Sequence, residues 1–104
     1  MGFEITSNNI GKGLTLYHDG PVVINGSSII GENLCLHGNN CIGNDGITNE
    51  CPVIGNNVDV GVGAKLIGKV HIADNVRIGA GAVVVESIEK QGAVVVGVPA
   101  KIIK

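Results

Sequence analysis

The stretch Ile54-Gly-Asn-Asn-Val-Asp-Val60-Gly-Val-Gly-Ala-Lys-Leu66 decides the fold, because an aliphatic residue returns at every sixth position. A period of six matches neither the 3.6-residue turn of a helix nor the alternation of a simple strand. It is typical of the hexapeptide parallel β-helix. The same spacing extends in both directions, with interruptions at Thr48 and Lys90, through Ile10, Leu16, Ile24, Ile30, Leu36, Ile42, Ile72, Ile78, Val84, Val96 and Ile102.

Each six-residue unit is a short strand followed by a corner, so three units make a triangular coil of about eighteen residues. The aliphatic residue points inward, and glycine or asparagine accepts the positive φ of a tight corner. Asn8-Asn9, Asn39-Asn40 and Asn56-Asn57 suit such corners. We therefore predict an all-β solenoid of about five coils, forming one domain over residues 1–104. Either Met1 is the true start, with its end of the solenoid covered by partners, or an N-terminal domain is absent.

The composition agrees with this fold and excludes several function classes. The chain has 104 residues, 17 glycines, 2% aromatic residues and a net charge of -2. Without a basic stripe or stacking aromatics, nucleic acid is not an expected partner. No segment has the pattern of a signal peptide or a membrane span, so we expect no membrane insertion. Three cysteines, an odd number, indicate free thiols and a reducing cytoplasm.

A flat-sided prism with so modest an aliphatic core predicts association into a homotrimer with closed threefold symmetry. The alternative is a monomeric solenoid, which needs capped ends.

One break in the repeat indicates a candidate catalytic residue. Leu16 and Ile24 are eight positions apart, and the two extra residues enlarge a corner around His18. A histidine near neutral pKa can accept a proton from a hydroxyl group, and a carboxylate on its other ring nitrogen fixes the tautomer. Glu4 lies about one side of a coil away and can supply that carboxylate. The alternative for His18 is a polar surface residue.

With these features the chain resembles the serine acetyltransferase branch of the left-handed β-helix acyltransferases. The resemblance covers nearly the whole chain. It implies left-handed coils, active sites between subunits of a trimer, and transfer of an acetyl group from acetyl-CoA to a hydroxyl compound. His18 corresponds to the family's general base, and Glu4 to its orienting aspartate if one residue is gapped. Four segments carry the resemblance: Ile10-Gly-Lys-Gly-Leu-Thr-Leu-Tyr-His18-Asp-Gly, Pro52-Val-Ile-Gly-Asn-Asn-Val58, Ile78-Gly-Ala-Gly-Ala-Val-Val84 and Gly97-Val-Pro-Ala-Lys101.

The resemblance also implies where CoA lies, along successive corners that expose small side chains and backbone amides. Asn44, Val62 and Ala80 are eighteen positions apart, which predicts one column of cofactor-binding residues. Lys101 is expected to meet a CoA phosphate. The alternatives are that these residues form ordinary tight corners and that Lys101 is a solvated end charge.

The acceptor side departs from the family pattern. Tyr17 stands where serine acetyltransferases carry an acidic residue for the amino group of serine. Glu50-Cys51 stand where they carry Arg-His, and a glutamate there repels a carboxylate. We therefore expect a neutral small-molecule hydroxyl acceptor, such as a sugar or glycan precursor, in place of free serine.

His37 is a further candidate for the acceptor pocket. It follows Leu36, which should stack over Leu16, so it is expected near Tyr17. The alternative is plain surface placement.

Other interpretations remain open. The polar segment 43–53 is either an extruded loop, which could reach a neighbouring active site, or two regular sides with Thr48 as a poor anchor. The chain could also be a true serine acetyltransferase domain or a noncatalytic assembly module. Zinc is not expected, because the histidines at 18, 37 and 71 lack the closely spaced pair that a metal site requires.

Overall fold

The computed structural model describes residues 10–17, 21–47 and 49–104, together with the backbone of residues 3–5. The described residues contain no helix and are organised as short strands. The strands are β1 (Phe3–Ile5), β2 (Thr15–Leu16), β3 (Val22–Ile24), β4 (Ile29–Ile30), β5 (Cys35–Leu36), β6 (Asn40–Gly43), β7 (Val53–Ile54), β8 (Asp59–Val60), β9 (Lys65–Ile67), β10 (His71–Ile72), β11 (Arg77–Ile78), β12 (Val83–Val84), β13 (Val94–Val96) and β14 (Lys101–Ile102).

The strands form three sheets, which are the three sides of a parallel β-helix. The A face has the order β1-β3-β6-β9-β12, the B face β10-β7-β4, and the C face β14-β13-β11-β8-β5-β2. Isolated bridges extend the B face, from Ile10 to Ile30 and from Ile72 to Ile88. The chain passes from B to C to A in each coil, so we name its corners BC, CA and AB. The predicted solenoid is confirmed.

The six-residue repeat fills the centre of the prism. On each face one aliphatic residue per coil points inward and stacks on its equivalent in the next coil. Because every face contributes to the same axis, the core is a series of aliphatic layers and needs no aromatic ring. These buried residues are Ile24, Ile42, Leu66 and Val84 on A, Ile30, Ile54, Ile72 and Ile88 on B, and Leu36, Val60, Ile78 and Val95 on C.

The pairing register settles the nature of segment 43–53. Val60 pairs with Ile78, eighteen positions later, whereas Ile42 pairs with Leu66, 24 positions later. This coil therefore contains six additional residues, and they lie between β6 and β7. The extruded-loop interpretation is confirmed. Thr48 itself lies outside the described residues.

The last coil departs from the predicted frame. Ile72 bridges to Ile88 after sixteen positions, and Ile78 pairs with Val95 after seventeen. The prediction that Val96 and Ile102 continue the inward frame is therefore wrong, and both are exposed. The connection between β12 and Ile88 is two residues shorter than in the preceding coil and the one between Ile88 and Val95 is one residue longer, which together bring Val95 into the core. Strand β14 then turns back and pairs antiparallel with β13.

Candidate functional site

The enlarged corner that contains His18 is the first CA corner, between β2 and β3. Residues 18–20 lie outside the described residues, and so does the side chain of Glu4. The backbone of Glu4 is described, and it pairs with Val23 of β3. The chain therefore brings the backbone of Glu4 alongside the strand that directly follows the His18 corner.

The later CA corners stack in a continuous column that begins at Pro21. The amide of Asn40 donates to Pro21 O, Gly63 to Gly38 O at 2.9 Å, and Gly81 to Val62 O at 2.8 Å. These bonds align the corners formed by residues 37–39, 61–64 and 79–82 with Pro21, the residue directly before β3. The predicted cofactor residues Val62 and Ala80 therefore occupy equivalent places on successive corners of the edge that begins between β2 and β3, the interval in which His18 stands in the sequence.

The outer surface of this column is open and has available hydrogen-bond donors. Val62 and Ala80 are exposed, and their amide groups donate to no other described residue. Their neighbours Gly63 and Gly81 have φ values of 75° and 71°. Such left-handed corners suit glycine. A ligand with amide or carbonyl groups could bind along this edge.

The prediction that Asn44 shares this column is wrong. Asn44 follows Ile42 of the A face and stands on the AB corner, where the amide of Gly68 donates to Gly43 O at 2.8 Å. The six inserted residues shift the frame, so a spacing of eighteen does not mean one coil across this segment. The side chain of Asn44 accepts a hydrogen bond from the amide of Gly46 within the loop.

Lys101 lies in β14, paired with Val96 at the end of the C face. Its ammonium group is 3.9 Å from a carboxylate oxygen of Glu86, and both side chains are largely exposed. An exposed ion pair of this kind contributes little to stability. The ammonium group of Lys101 is therefore near the C-terminal end of the CA column.

Tyr17 and His37 form a stacked ring pair beside the His18 corner. Their ring centroids are 4.8 Å apart and their planes differ by 15°. The stacking follows from the register, because Leu16 pairs with Leu36 and the next residue on each strand points outward from the same place. The prediction that His37 lies beside Tyr17 is confirmed.

Asp59 extends this cluster and was not predicted from the sequence. The Nε2 atom of His37 donates to Oδ1 of Asp59 at 2.6 Å, and the other carboxylate oxygen lies 3.8 Å from Nε of Arg77. Asp59 precedes the inward Val60, so it points outward one coil beyond His37. The repeat alone could have placed these residues on one face, but the diagonal contact between them depends on side-chain conformation.

No protein-family profile matches the chain, but individual relatives do. The putative colanic acid biosynthesis acetyltransferase WcaB of Escherichia coli (strain K12) is 37% identical over 104 residues, covering 98% of this chain and 64% of the relative. The serine acetyltransferase of Buchnera aphidicola subsp. Schizaphis graminum is 37% identical over 99 residues, covering 92% of this chain and 38% of the relative.

Solved structures give the same result. The soybean serine acetyltransferase apoenzyme matches with a TM-score of 0.84 and 29% identity, covering 98% of this chain and 40% of that one. Serine acetyltransferase from Brucella abortus strain S19 in complex with coenzyme A matches with a TM-score of 0.84 and 32% identity, covering 90% and 38%. Over nearly its whole length this chain is similar to serine acetyltransferases and to the WcaB acetyltransferase. Its coils have the left-handed sense of these structures. The chain spans about two thirds or less of the length of the relatives it matches.

Within one chain of this acyltransferase-like protein, Glu50 and Cys51 are not brought to the Tyr17–His37 pair. They lie at the end of the loop, on the AB side of the prism. Glu50 is 3.4 Å from the ammonium group of Lys69, and Cys51 is buried. Their predicted contact with an acceptor would therefore require a second subunit.

The sequence predicts neither a zinc site nor a membrane span, and the described residues can be searched for both. Among those residues, no three histidine, cysteine, aspartate or glutamate side chains converge as a metal site. His37 lies on a CA corner, whereas His71 lies in β10 of the B face. No helix among the described residues is long and apolar enough to cross a membrane.

Proposed function

We propose that this protein transfers the acetyl group of acetyl-CoA to a hydroxyl oxygen, with His18 as the general base and Glu4 as its orienting carboxylate. The observation that carries the proposal is the shared CA column. His18 stands in the sequence between β2 and β3, and the exposed corners of Val62 and Ala80 lie on the edge that continues from this connection. This edge could therefore hold the extended CoA molecule and the proton acceptor together.

The reaction that follows is a simple acyl transfer. His18 accepts the proton of the acceptor hydroxyl while its oxygen forms a bond to the thioester carbonyl carbon. The C–S bond then breaks, and the CoA sulfur leaves with the electron pair and takes up the proton. No metal or redox cofactor enters this balance.

CoA binding is proposed along the outward amides of Val62 and Ala80, with Lys101 near a phosphate group. A homotrimer would place the AB corner of one subunit against the CA corner of the next. In that arrangement Asn44, Glu50 and Cys51 would reach the site from the neighbour. The position of Asn44 on the AB corner, which excludes it from the column within one chain, supports a role across subunits.

The proposed acceptor is a sugar or glycan precursor. Tyr17 offers no charge for an amino group, and Glu50 would repel a carboxylate at a place where charged hydrogen bonds contribute about 1.5 to 3 kcal/mol. The name of the WcaB relative, which refers to colanic acid biosynthesis, is consistent with this acceptor class. L-Serine is the second candidate, because the Buchnera serine acetyltransferase is equally similar in sequence.

We further propose a cytoplasmic protein in which residues 1–104 act as one domain. Cys35, Cys41 and Cys51 are free thiols, and a reducing compartment would preserve them.

The experiment is a transfer assay with acetyl-CoA and a panel of L-serine, glycerol and methyl pyranosides, read by chromatography of the CoA released. His18→Ala should lower the transfer rate about 100-fold or more, while CoA affinity measured by calorimetry stays unchanged. His71→Ala is the matched control and should behave as the wild type. Failure of both the wild type and His18→Ala to bind CoA would overturn the proposal in favour of a noncatalytic solenoid. Efficient use of L-serine would overturn the acceptor assignment alone.

A further inference from the structure

The cluster formed by Tyr17, His37 and Asp59 has a geometry that acetyl transfer by His18 does not itself require. Three consecutive coils each contribute one of these residues, Asp59 from β8 on the C face and the two rings from the positions directly after β2 and β5. The tyrosine stacks on the histidine, and the histidine is bonded to the aspartate. The cluster begins at the residue directly before His18, so whatever binds to Tyr17 is held next to the proposed base.

The cluster is held more firmly than an ordinary surface pair. The side chains of His37 and Asp59 are 30% and 33% exposed, and the 2.6 Å bond between them is short. Hydrogen bonds to a carboxylate are roughly twice as strong as neutral ones. Arg77 approaches the second oxygen of Asp59. The hydrogen bond to Asp59 restricts rotation of the His37 ring. The Tyr17 ring, which stacks on His37, is restricted in turn.

The positions equivalent to His37 in the next two coils are Gly61 and Gly79, at the start of the CA corners, and they carry no side chains. A Cβ at Gly61 would lie 2.6 Å from the amide nitrogen of Ala80, so the stacked coils leave no room for one. The two rings are therefore followed by bare backbone that leads towards Val62 and Ala80. The ring pair stands beside the proposed CoA edge.

We propose that Tyr17, locked by His37 and Asp59, is an aromatic platform for the pyranose ring of the acceptor, with His37 and Asp59 as positioning residues. The proposal rests on the proposed acetyl transfer and deepens it by naming the acceptor class. A pyranose has one face of C–H groups bounded by hydroxyl groups. Such a face can lie on an aromatic ring, as planar groups do on stacking side chains, and a rim hydroxyl can point to the neighbouring base. Free serine has no ring to stack.

Binding is tested by saturation-transfer difference NMR on the full chain with CoA present, using methyl β-D-glucopyranoside and methyl β-D-galactopyranoside as probes and glycerol and L-serine as comparisons. We expect signal on the ring C–H protons of a pyranoside, loss of that signal in Tyr17→Leu, and recovery of most of it in Tyr17→Phe. No pyranoside signal from protein that binds CoA would overturn the platform. An undiminished signal in Tyr17→Leu would do the same.

Kinetics separate a positioning role from a structural one, with the pyranoside that is acetylated fastest as the acceptor. Tyr17→Leu should raise the acceptor KM about tenfold, and Asp59→Ala about threefold to fivefold, with the KM for acetyl-CoA unchanged. Asp59→Asn retains an oxygen that accepts from His37, so it should recover most of the loss. His71→Ala controls for removal of a histidine outside the cluster.

Equal effects of the Asp59 variants on both KM values would indicate general destabilisation and would overturn the positioning role. Transfer to glycerol or L-serine as efficient as to any pyranoside would overturn the platform while leaving the acetyl transfer intact. Absence of both CoA binding and transfer would instead refute the proposed function.

Discussion

At the residue scale, Asn40 is the polar member of an otherwise apolar inward column. It occupies the slot taken by Val22, Ala64 and Ala82 in the other coils. Its side chain accepts from the amide of Gly38 and donates to the carbonyl oxygens of Gly61 and Ala64, at 2.9 to 3.0 Å. Asn40 therefore ties one CA corner to the next from inside the prism.

We predict that Asn40→Ala destabilises the protein by about 2 kcal/mol, because it leaves buried backbone groups without their partner. For a domain of this size the melting temperature should fall by about 10 °C, as measured by circular dichroism. Asn49→Ala removes an exposed asparagine from the loop and is the control. A melting temperature for Asn40→Ala within a degree of the control would contradict this interpretation.

The site could be predicted from the sequence to the extent that its residues follow the repeat. Tyr17 and His37 flank consecutive anchors, so counting placed them together correctly. Asn44 was misplaced because the count crosses an insertion of one whole hexapeptide, which leaves the sequence in phase while moving the chain to another side. Asp59 was missed because its contact with His37 joins neighbouring columns, and the period carries no information on such diagonal contacts.

At the element scale, the BC corners repeat one backbone conformation. Asn33, Asn57 and Asn75 all have φ near 60° and stack through successive coils, with a side-chain bond of 3.0 Å between Asn33 and Asn57. Left-handed φ costs an ordinary L-residue about 1 to 2 kcal/mol, and asparagine and glycine tolerate it best. Asparagine therefore suits these positions because it tolerates the left-handed backbone conformation of the corner.

Asn75→Ala should therefore destabilise the protein by about 1 kcal/mol, whereas Asn75→Gly should be close to neutral. Urea unfolding of the two variants at equal protein concentration measures the difference. If alanine and glycine gave the same midpoint, backbone conformation would not be the reason for asparagine at this corner.

The extruded loop is an element that the solenoid does not need. Deleting residues 45–50 would place Ile54 six positions after Ile42 and restore a regular side. The deletion removes the exposed Glu50–Lys69 pair, which contributes little to stability. We predict an unchanged β-sheet circular dichroism spectrum and a loss of transfer activity, since the loop is proposed to reach a neighbouring site. Unfolding of the deletion variant would contradict the claim that the solenoid does not need the loop. Full transfer activity would contradict the claim that the loop reaches a neighbouring site.

Strands could be predicted best in the middle of the chain, because neighbouring coils pair at 18 or 24 positions there, and both numbers are multiples of six. The last coil could not, because Val95 and Val96 are equally apolar and the choice between them depends on two corner lengths. The corner between Val84 and Ile88 is two residues shorter than in the preceding coil, and the corner between Ile88 and Val95 is one residue longer. Apolar character fixes that a residue near this point is buried. The lengths of the two preceding corners decide which of the valines is buried.

At the scale of the whole molecule, exposed apolar residues indicate association. Ile29 is 52% exposed, Val62 47% and Ile47, on the extruded loop, 88%. A homotrimer is predicted to have a mass of about 32 kDa, three times the 10.6 kDa of the chain. Light scattering coupled to gel filtration measures it. A mass near that of one chain would contradict the trimer and with it the proposed contribution of the loop to a neighbouring site.

The central claim is that the edge formed by the CA corners binds CoA, and a ¹H–¹⁵N NMR titration of the protein with CoA tests it most directly. We predict that the largest shifts occur at the amides of Val62, Gly63, Ala80 and Gly81, with small shifts at Asn57 and Asn75 on the BC corner. Shifts concentrated on the BC corner, or no shifts at saturating CoA, would contradict the claim.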